Sequence, residues 1–231
     1  LTVLILGATV ANINTSISNV ALPSIASALN ATDTELTGIT EAYQLGIAAT
    51  VLYLGAAGDR YGRKGMLLLG ALLCVPFSLA SAWSPNAVFL IVAQIAVGVA
   101  GGMLYPTTLS MITALWLGKK LTGAIALWTG LGTGASVLGP IMGGYLLDNY
   151  WWRSVFLITV PFALLVLVMG AIILPRSRAA EKAPVDHAGG SLSVVMISSF
   201  VLGIVMLPQG ITIAVAILFA VTLVSGTLFV W

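Results

Sequence analysis

The sequence predicts an all-α polytopic membrane protein, and three observations lead there. Of its 231 residues, 59% are hydrophobic and only 7% charged, with a mean hydropathy of +1.10, where a soluble domain carries roughly 25% charge. The apolar residues gather in runs close to the roughly 20 residues a helix needs to cross the hydrocarbon core. The few charges lie almost all between those runs, sorted to one side. The net charge of +2 argues against nucleic acid as a partner. The single cysteine, Cys74, sits in an apolar run and excludes an intrachain disulfide.

Eight spans are expected, over 1–22, 36–57, 65–84, 88–112, 122–146, 154–174, 192–208 and 211–231. Pro23 is expected to end the first, before a polar link at 30–33. Ser84-Pro85-Asn86 reads as a tight turn and Gly118-Lys119-Lys120 as a basic one. Asp148–Arg153 is a polar link whose Tyr150, Trp151 and Trp152 suit the headgroup region. Residues 1–174 read as a six-helix half, 175–191 as a charged linker, and 192–231 as an additional hairpin turning at Pro208-Gln209-Gly210. Leu1 and Trp231 both lie inside apolar runs, so the chain reads as a segment of a longer protein with spans after Trp231.

With the amino terminus inside, the inner links hold Arg60, Arg63, Lys64, Lys119, Lys120, Arg176, Arg178 and Lys182, and only Arg153 lies outside. Lys and Arg near span ends resist translocation. The expectation is a multi-pass protein of the cell membrane with a cytoplasmic amino terminus.

The chain is most distinctive at Gly55–Met66, GAAGDRYGRKGM. Asp59, Arg60, Arg63 and Lys64 fall within six residues between two apolar runs, and Gly58 and Gly62 let the chain turn tightly. A loop kept only for topology needs positive charge but no Asp. Asp59 can accept from the amino end of a neighbouring helix or pair with Arg63. Further along, Gly98, Gly101 and Gly102 thin the fourth span. Gly130, Gly132, Gly134, Gly139, Gly143 and Gly144 thin the fifth, with Pro140 among them. Small residues four apart, as in Gly130/Gly134 and Gly139/Gly143, let helices touch closely in lipid. Pro140 removes a backbone donor and bends its helix.

An ionisable side chain inside a span is costly and so a functional candidate. Glu41 is the acidic residue clearly inside one. Thr37, Glu41, Gln44 and Ala48 share a helical face that would line a polar cavity, where Glu41 could exchange a proton with the outside. The other reading is a Glu snorkelling to the headgroups. The first span carries Asn12, Asn14, Thr15, Ser16, Ser18 and Asn19, with Asn12, Ser16 and Asn19 on one face. They line a cavity or make interhelical hydrogen bonds. Tyr105, Trp116 and Trp128 could stack on a flat organic cation or serve as packing and interface residues. His187 lies in the charged linker, where it is expected to be solvated. No metal spacing, cofactor motif, nucleophile–base pair or phosphate loop is present in the sequence, which argues against an enzyme.

The spacing G-x-x-x-D-R-x-G-R-K at Gly55–Lys64 resembles the signature loop between helices 2 and 3 of the major facilitator superfamily of transporters, with Ala57 where that family usually has a larger apolar residue. GASVLGPIMGGYL, with its G-P-x-x-G-G core at Gly139–Gly144, resembles the fifth-helix signature of the superfamily's antiporters. Asn19–Pro23, Pro106–Met111, Trp152–Ile158 and Val160-Pro161 resemble stretches of the fourteen-span drug:proton antiporter branch. The resemblance implies a major-facilitator helical bundle, here the amino-terminal six helices plus the inserted pair. It also implies alternating access, a gating fifth helix, a loop that latches the two halves, and a monomer exporting small organic molecules in exchange for protons. It implies an acidic residue at the position of Glu41. Two positions depart from the branch: Asn14 stands where helix 1 usually has Asp, and Gln94 where helix 4 usually has Arg. If the two faced each other, an acid–base pair would have become a neutral hydrogen-bonded one. That favours a second reading, a proton-uncoupled uniporter or an exporter of a lipid-like or metabolic substrate. A membrane scaffold without transport is a third.

Overall fold

The computed structural model describes residues 1–175, 186–207, 210 and 212–230. Among these the chain is helical throughout: α1 (Thr2–Leu29), α2 (Asp33–Tyr61), α3 (Arg63–Ala82), α4 (Ala87–Leu115), α5 (Gly118–Asn149), α6 (Ser154–Leu157), α7 (Thr159–Ile173), α8 (His187–Met206) and α9 (Ile213–Val230). The all-α expectation holds. Seven helical segments are long and apolar enough to cross a membrane, α6 and α7 counting as one. α2 is of equal length but is the least apolar of the long helices and falls outside that set. It nevertheless runs beside α4 from Gly38 against Ile91 to Gly55 against Pro106, so it crosses with its partner.

Local chemistry explains most of the boundaries. Thr32 caps α2: its hydroxyl accepts from the Glu35 N–H while the Glu35 carboxylate accepts from the Thr32 N–H. The Thr32 N–H and hydroxyl, both donating to the Glu35 carboxylate, hold it below the usual carboxylate range. Asn86 caps α4 by accepting from Phe89 N–H, and Asp186 caps α8 by accepting from Gly189 N–H. Gly62, at φ 133°, turns the chain between α2 and α3 where a side chain would be strained. The interruption at Ile158 has a plain cause: Pro161 has no N–H to offer the Leu157 carbonyl four residues back.

Two expected boundaries are corrected. Pro23 does not end α1, which continues to Leu29 and stops at Asn30 in the left-handed conformation. A proline costs a helix one backbone bond, and packing on both sides of it, with Ala21 and Ile25 buried, holds the helix through it. The helix expected from 192 begins earlier, at His187, because Asp186 supplies its cap. Arg176, Arg178 and Lys182, counted in the charge asymmetry, lie outside the described residues, as do Pro208, Gln209 and Trp231.

The first six spans pack around two apolar cores. One lies at the end carrying Asp59–Lys64, the charged end, and joins Leu4, Leu67, Leu104, Met111, Trp128 and Val166. The other lies at the opposite end and joins Ile17, Ile25, Ile39, Leu90, Val155 and Phe156. α2 lies parallel to α4, and α1 parallel to α5, each pair meeting through glycines. α8 and α9 pack on each other: Phe219 lies over Gly203, and the Ser199 and Thr222 hydroxyls are 2.9 Å apart. They join the first six helices where α8 meets α2.

Candidate functional site

The site is best built from α2, the polar helix. One of its faces is given to α4. A Cβ added at Gly46 would lie 2.9 Å from the Gly98 Cα, and one at Gly98 would lie 2.2 Å from the Tyr43 carbonyl oxygen. Backbone therefore touches backbone, the close approach that small residues permit in lipid. Tyr43 reaches past α4 from this face. Its Oη donates to the Ala11 carbonyl oxygen of α1 at 2.9 Å, and it fills the space a Cβ at Gly101 would need. A buried phenol tying α1, α2 and α4 at one point is the main interhelical hydrogen bond of this region. Sequence reasoning passed over it; the signal available was a lone Tyr facing a glycine-rich neighbour.

The opposite face of α2 carries Thr37, Glu41, Gln44 and Ala48. Glu41 is half-buried, and Thr37 and Gln44 are exposed. Among the described residues Glu41 has no hydrogen-bond or ion-pair partner. The carboxylate thus sits on an open polar stripe about 12 Å along the helix from Asp33, at 1.5 Å per residue.

In α1 the polar residues divide. Asn12, Thr15, Ser16 and Ser18 return their donors to carbonyls of their own helix, for example Asn12 Nδ2 to Ala8 O at 2.9 Å. Ser16 and Asn12 lie toward α5, where Gly139 and Gly132 make room for them. Asn19 is exposed. Asn14 is 2% and Gln94 1% exposed, and Asn14 Nδ2 and both polar atoms of the Gln94 amide have no hydrogen-bond partner among the described residues.

The expected Asn14–Gln94 hydrogen bond is therefore not made. Register explains it. α1 and α4 run antiparallel, with Gly7 against Thr108 and the Tyr43 hydroxyl joining Ala11 to Gly101. Counting outward from those contacts puts Gln94 level with Ser18–Ala21, while Asn14 lies level with Gly98–Gly101. The two amides are offset by one to two helical turns, roughly 6–10 Å.

The fifth-helix glycines also divide. Gly132, Gly139 and Gly143 face α1; a Cβ at Gly139 would lie 2.0 Å from Ser16 Oγ, and one at Gly143 would lie 3.1 Å from Ile17. Gly130, Gly134 and Gly144 meet nothing within 4 Å of where a Cβ would stand, and Pro140 is exposed beside them. The Gly139/Gly143 spacing thus serves a helix pair, and the Gly130/Gly134 spacing lies on an open face.

At the charged end Asp59 gathers two elements. Its Oδ1 accepts from Arg63 Nε at 2.6 Å and from the Ser110 hydroxyl of α4. Pairing with Arg63 was one of the two expected modes; in place of a helix amino end, the second partner is Ser110. Lys64 Nζ donates to the Ala171 and Leu174 carbonyls at 2.7 Å each, closing the last turn of α7 where carbonyls are left without helical partners. Gly55 rests on Pro106, and Gly58 on Met66 and Thr107. The loop Asp59, Arg60, Gly62, Arg63 and Lys64 therefore ties α2, α3, α4 and α7 together.

The aromatic candidates behave as packing residues. Trp128 is buried, donates from Nε1 to Thr108 Oγ1 at 3.1 Å and lies 5.1 Å from the Tyr105 ring. Trp116 packs against the charged-end core. Arg153 is held over the faces of Trp151 and Trp152, at 5.4 and 5.3 Å. His187 is exposed, as expected, but is not without partners. Its Nδ1 is 2.9 Å from the Tyr53 hydroxyl and its Nε2 3.1 Å from the Tyr61 hydroxyl.

Comparison with known proteins agrees with this architecture. The chain matches the Major Facilitator Superfamily over residues 4–231. It is 38% identical over 91% of its length to the "Multidrug efflux pump LfrA" of Mycolicibacterium smegmatis, covering 42% of that protein. It is 35% identical over 80% of its length to the "Methyl viologen resistance protein SmvA" of Salmonella typhimurium, covering 38% of it. It is 32% identical over 74% of its length to the "Tetracenomycin C resistance and export protein" of Streptomyces glaucescens, covering 32% of it. Its fold superposes on the proton:xylose symporter XylE with a TM-score of 0.68 at 16% identity, over 98% of this chain and 52% of that one. The chain spans less than half the length of these curated relatives. It belongs to the Major Facilitator Superfamily, and its six packed spans followed by α8 and α9 are a membrane-embedded portion of such a protein.

Proposed function

We propose that the full-length protein is a secondary transporter that exports small organic molecules, multidrug substrates among them, by alternating access. The observation that carries this reading is the 38% identity to a multidrug efflux pump along nearly the whole chain. Geometry supports it: a rigid glycine-knit half presents an open polar stripe on α2 and an open glycine face on α5, as a rocking half must. The charged end faces the cytoplasm of the cell membrane, by the placement of Arg60, Arg63, Lys64, Lys119 and Lys120. The Asp59–Lys64 loop controls conformation, the Pro140 region of α5 gates, and Asn19 and Gln44 line the substrate path with Asn12 and Ser16 at its border, while Asn14 and Gln94 are buried behind it. Substrates are lipophilic or cationic organic molecules, and the protein works as a monomer.

Glu41 carries the proton exchange. It is the carboxylate on the open stripe, and both amides that replace charged residues are neutral. A second reading, transport without proton coupling, is favoured by those same neutral amides at Asn14 and Gln94.

Proteoliposomes of the full-length protein separate the two. A pH gradient is imposed, a panel of lipophilic cations is added, and internal pH is followed for wild type and Glu41→Gln. Substrate-dependent proton flux that disappears in Glu41→Gln is the expected result. Substrate movement without proton flux establishes the uncoupled reading, and movement of neither overturns both.

A further inference from the structure

α8 and α9 are tied to the first six helices at the charged end of α2, and the tie has a specific chemistry. His187, the first residue of α8, lies between two phenols of α2 spaced eight residues apart. Tyr53 Oη meets Nδ1 at 2.9 Å and Tyr61 Oη meets Nε2 at 3.1 Å. The imidazole plane is nearly parallel to that of Tyr61, at 18° with ring centroids 6.4 Å apart, and stands edge-on to Tyr53 at 78°. A neutral imidazole has one donor and one acceptor nitrogen, and a phenol can serve either. Both ring nitrogens are satisfied at once. Three residues on, Gly190 lets α8 lie directly on the Tyr53 ring; a Cβ there would be 2.1 Å from a ring carbon. Asp186 caps α8 from the preceding position and fixes where His187 stands. A serine in that place would cap as well, so the carboxylate is not what selects the contact.

The position of this contact gives it meaning. Tyr61 is two residues from Asp59, which accepts from Ser110 of α4 and from Arg63 of α3. The last turn of α2 is thus held on one side by the charged loop and on the other by His187. Beside the contact lies a cavity of about 270 Å³ lined by Leu52, Ala56, Ser193 and Phe229, among others. The three rings and the glycine form the charged end of a longer α2–α8 contact.

We propose that the Tyr53–His187–Tyr61 clasp fixes the α8–α9 hairpin to the first six helices as one body, so that the hairpin travels with that half and bears on the charged loop through the end of α2. His187, Tyr53 and Tyr61 are positioning residues. The rigid-body part of this inference rests on the transport reading; the clasp itself does not.

The test uses the full-length protein with all other cysteines replaced, carrying Leu52→Cys in α2 and Ser193→Cys in α8, both at the lining of the cavity. Crosslinking by a short, reducible bifunctional reagent is followed in time, and substrate flux is measured before crosslinking, after it, and after reduction. Rapid crosslinking is expected. His187→Phe, which keeps a ring but loses both hydrogen bonds, is expected to slow it about five- to tenfold, and Tyr53→Phe or Tyr61→Phe about two- to threefold. Absence of crosslinking, or a rate unchanged by His187→Phe and by the double Tyr53→Phe/Tyr61→Phe variant, overturns the clasp. Flux that persists at half or more of its starting value after crosslinking supports travel as one body. Flux abolished by crosslinking and restored by reduction overturns it. A protein that moves no substrate before crosslinking refutes the transport reading and with it the rigid-body part, while the crosslinking rates still decide the clasp.

Discussion

The glycines of α4 and those of α5 look alike in the sequence and are used differently. Gly98, Gly101 and Gly102 all press against α2, where backbone and the Tyr43 and Thr50 side chains take up the space of the absent Cβ atoms. In α5, Gly132, Gly139 and Gly143 press against α1, while a Cβ at Gly130, Gly134 or Gly144 would meet nothing within 4 Å among the described residues. The difference shows that glycine in a span has two distinct uses. One holds a helix pair at a fixed distance within a half. The other leaves an open helix face.

Substitutions at five positions test that division. The largest effect is expected at Gly98→Ala. Its new methyl meets the Tyr43 carbonyl and the Gly46 Cα, neither of which can swing away. Overpacking of this kind costs about 1–3 kcal/mol, occasionally more, and this site belongs at the upper end because backbone must shift. Thermal unfolding of the purified full-length protein in detergent measures it, and a melting point within a degree of wild type would erase the distinction between the two helices.

Gly139→Ala ranks next. Its methyl meets the Ser16 side chain, which can turn, so about 1 kcal/mol is expected. The double variant Gly139→Ala/Ser16→Ala should recover most of it, and no recovery would mean that the Ile17 backbone, 3.3 Å away, and not the Ser16 hydroxyl limits the contact. Tyr43→Phe keeps the ring and removes the hydroxyl that bonds to Ala11 and lies against Gly101. A loss of about 1 kcal/mol is expected, smaller than Gly98→Ala at the same interface; the reverse ranking would put the hydrogen bond, not the close approach, in charge.

The smallest effect on stability, and of the opposite sign, is expected at Gly130→Ala and Gly134→Ala. Space is open at both, and Ala favours helix by up to about 1 kcal/mol over Gly. Unfolding should be unchanged or slightly raised, while flux in proteoliposomes falls if that face meets a moving partner. Full flux in the stabilised variants would make the open glycines incidental.

Much of this was legible in the sequence for a physical reason. Water and lipid sort residues strongly, so apolar runs of spanning length, the Asp59–Lys64 loop and the polar character of α1 and α2 could be read from composition and spacing. The boundaries were less legible. Pro23 reads as a stop, yet neighbouring helices hold α1 together beyond it to Leu29. The pairing of Asn14 with Gln94 was the natural guess from two coupled departures. It failed because the depth of a residue along its own helix says nothing of how two helices slide past each other. Tyr43 wedged against Gly101 sets that slide, and it leaves the two amides apart.

By itself, then, the sequence determined what depends on one residue and its solvent: that the chain is helical, that it lies in a membrane, which links carry the charge, and which family it resembles. Only the tertiary structure decided what depends on two helices at once. It assigned some glycines to helix contacts and left others open, gave Asp59 to Ser110, and joined the exposed His187 to Tyr53 and Tyr61. Helix periodicity tells which residues share a face. Which face meets which neighbour, and at what height, is set by packing across residues far apart in the chain.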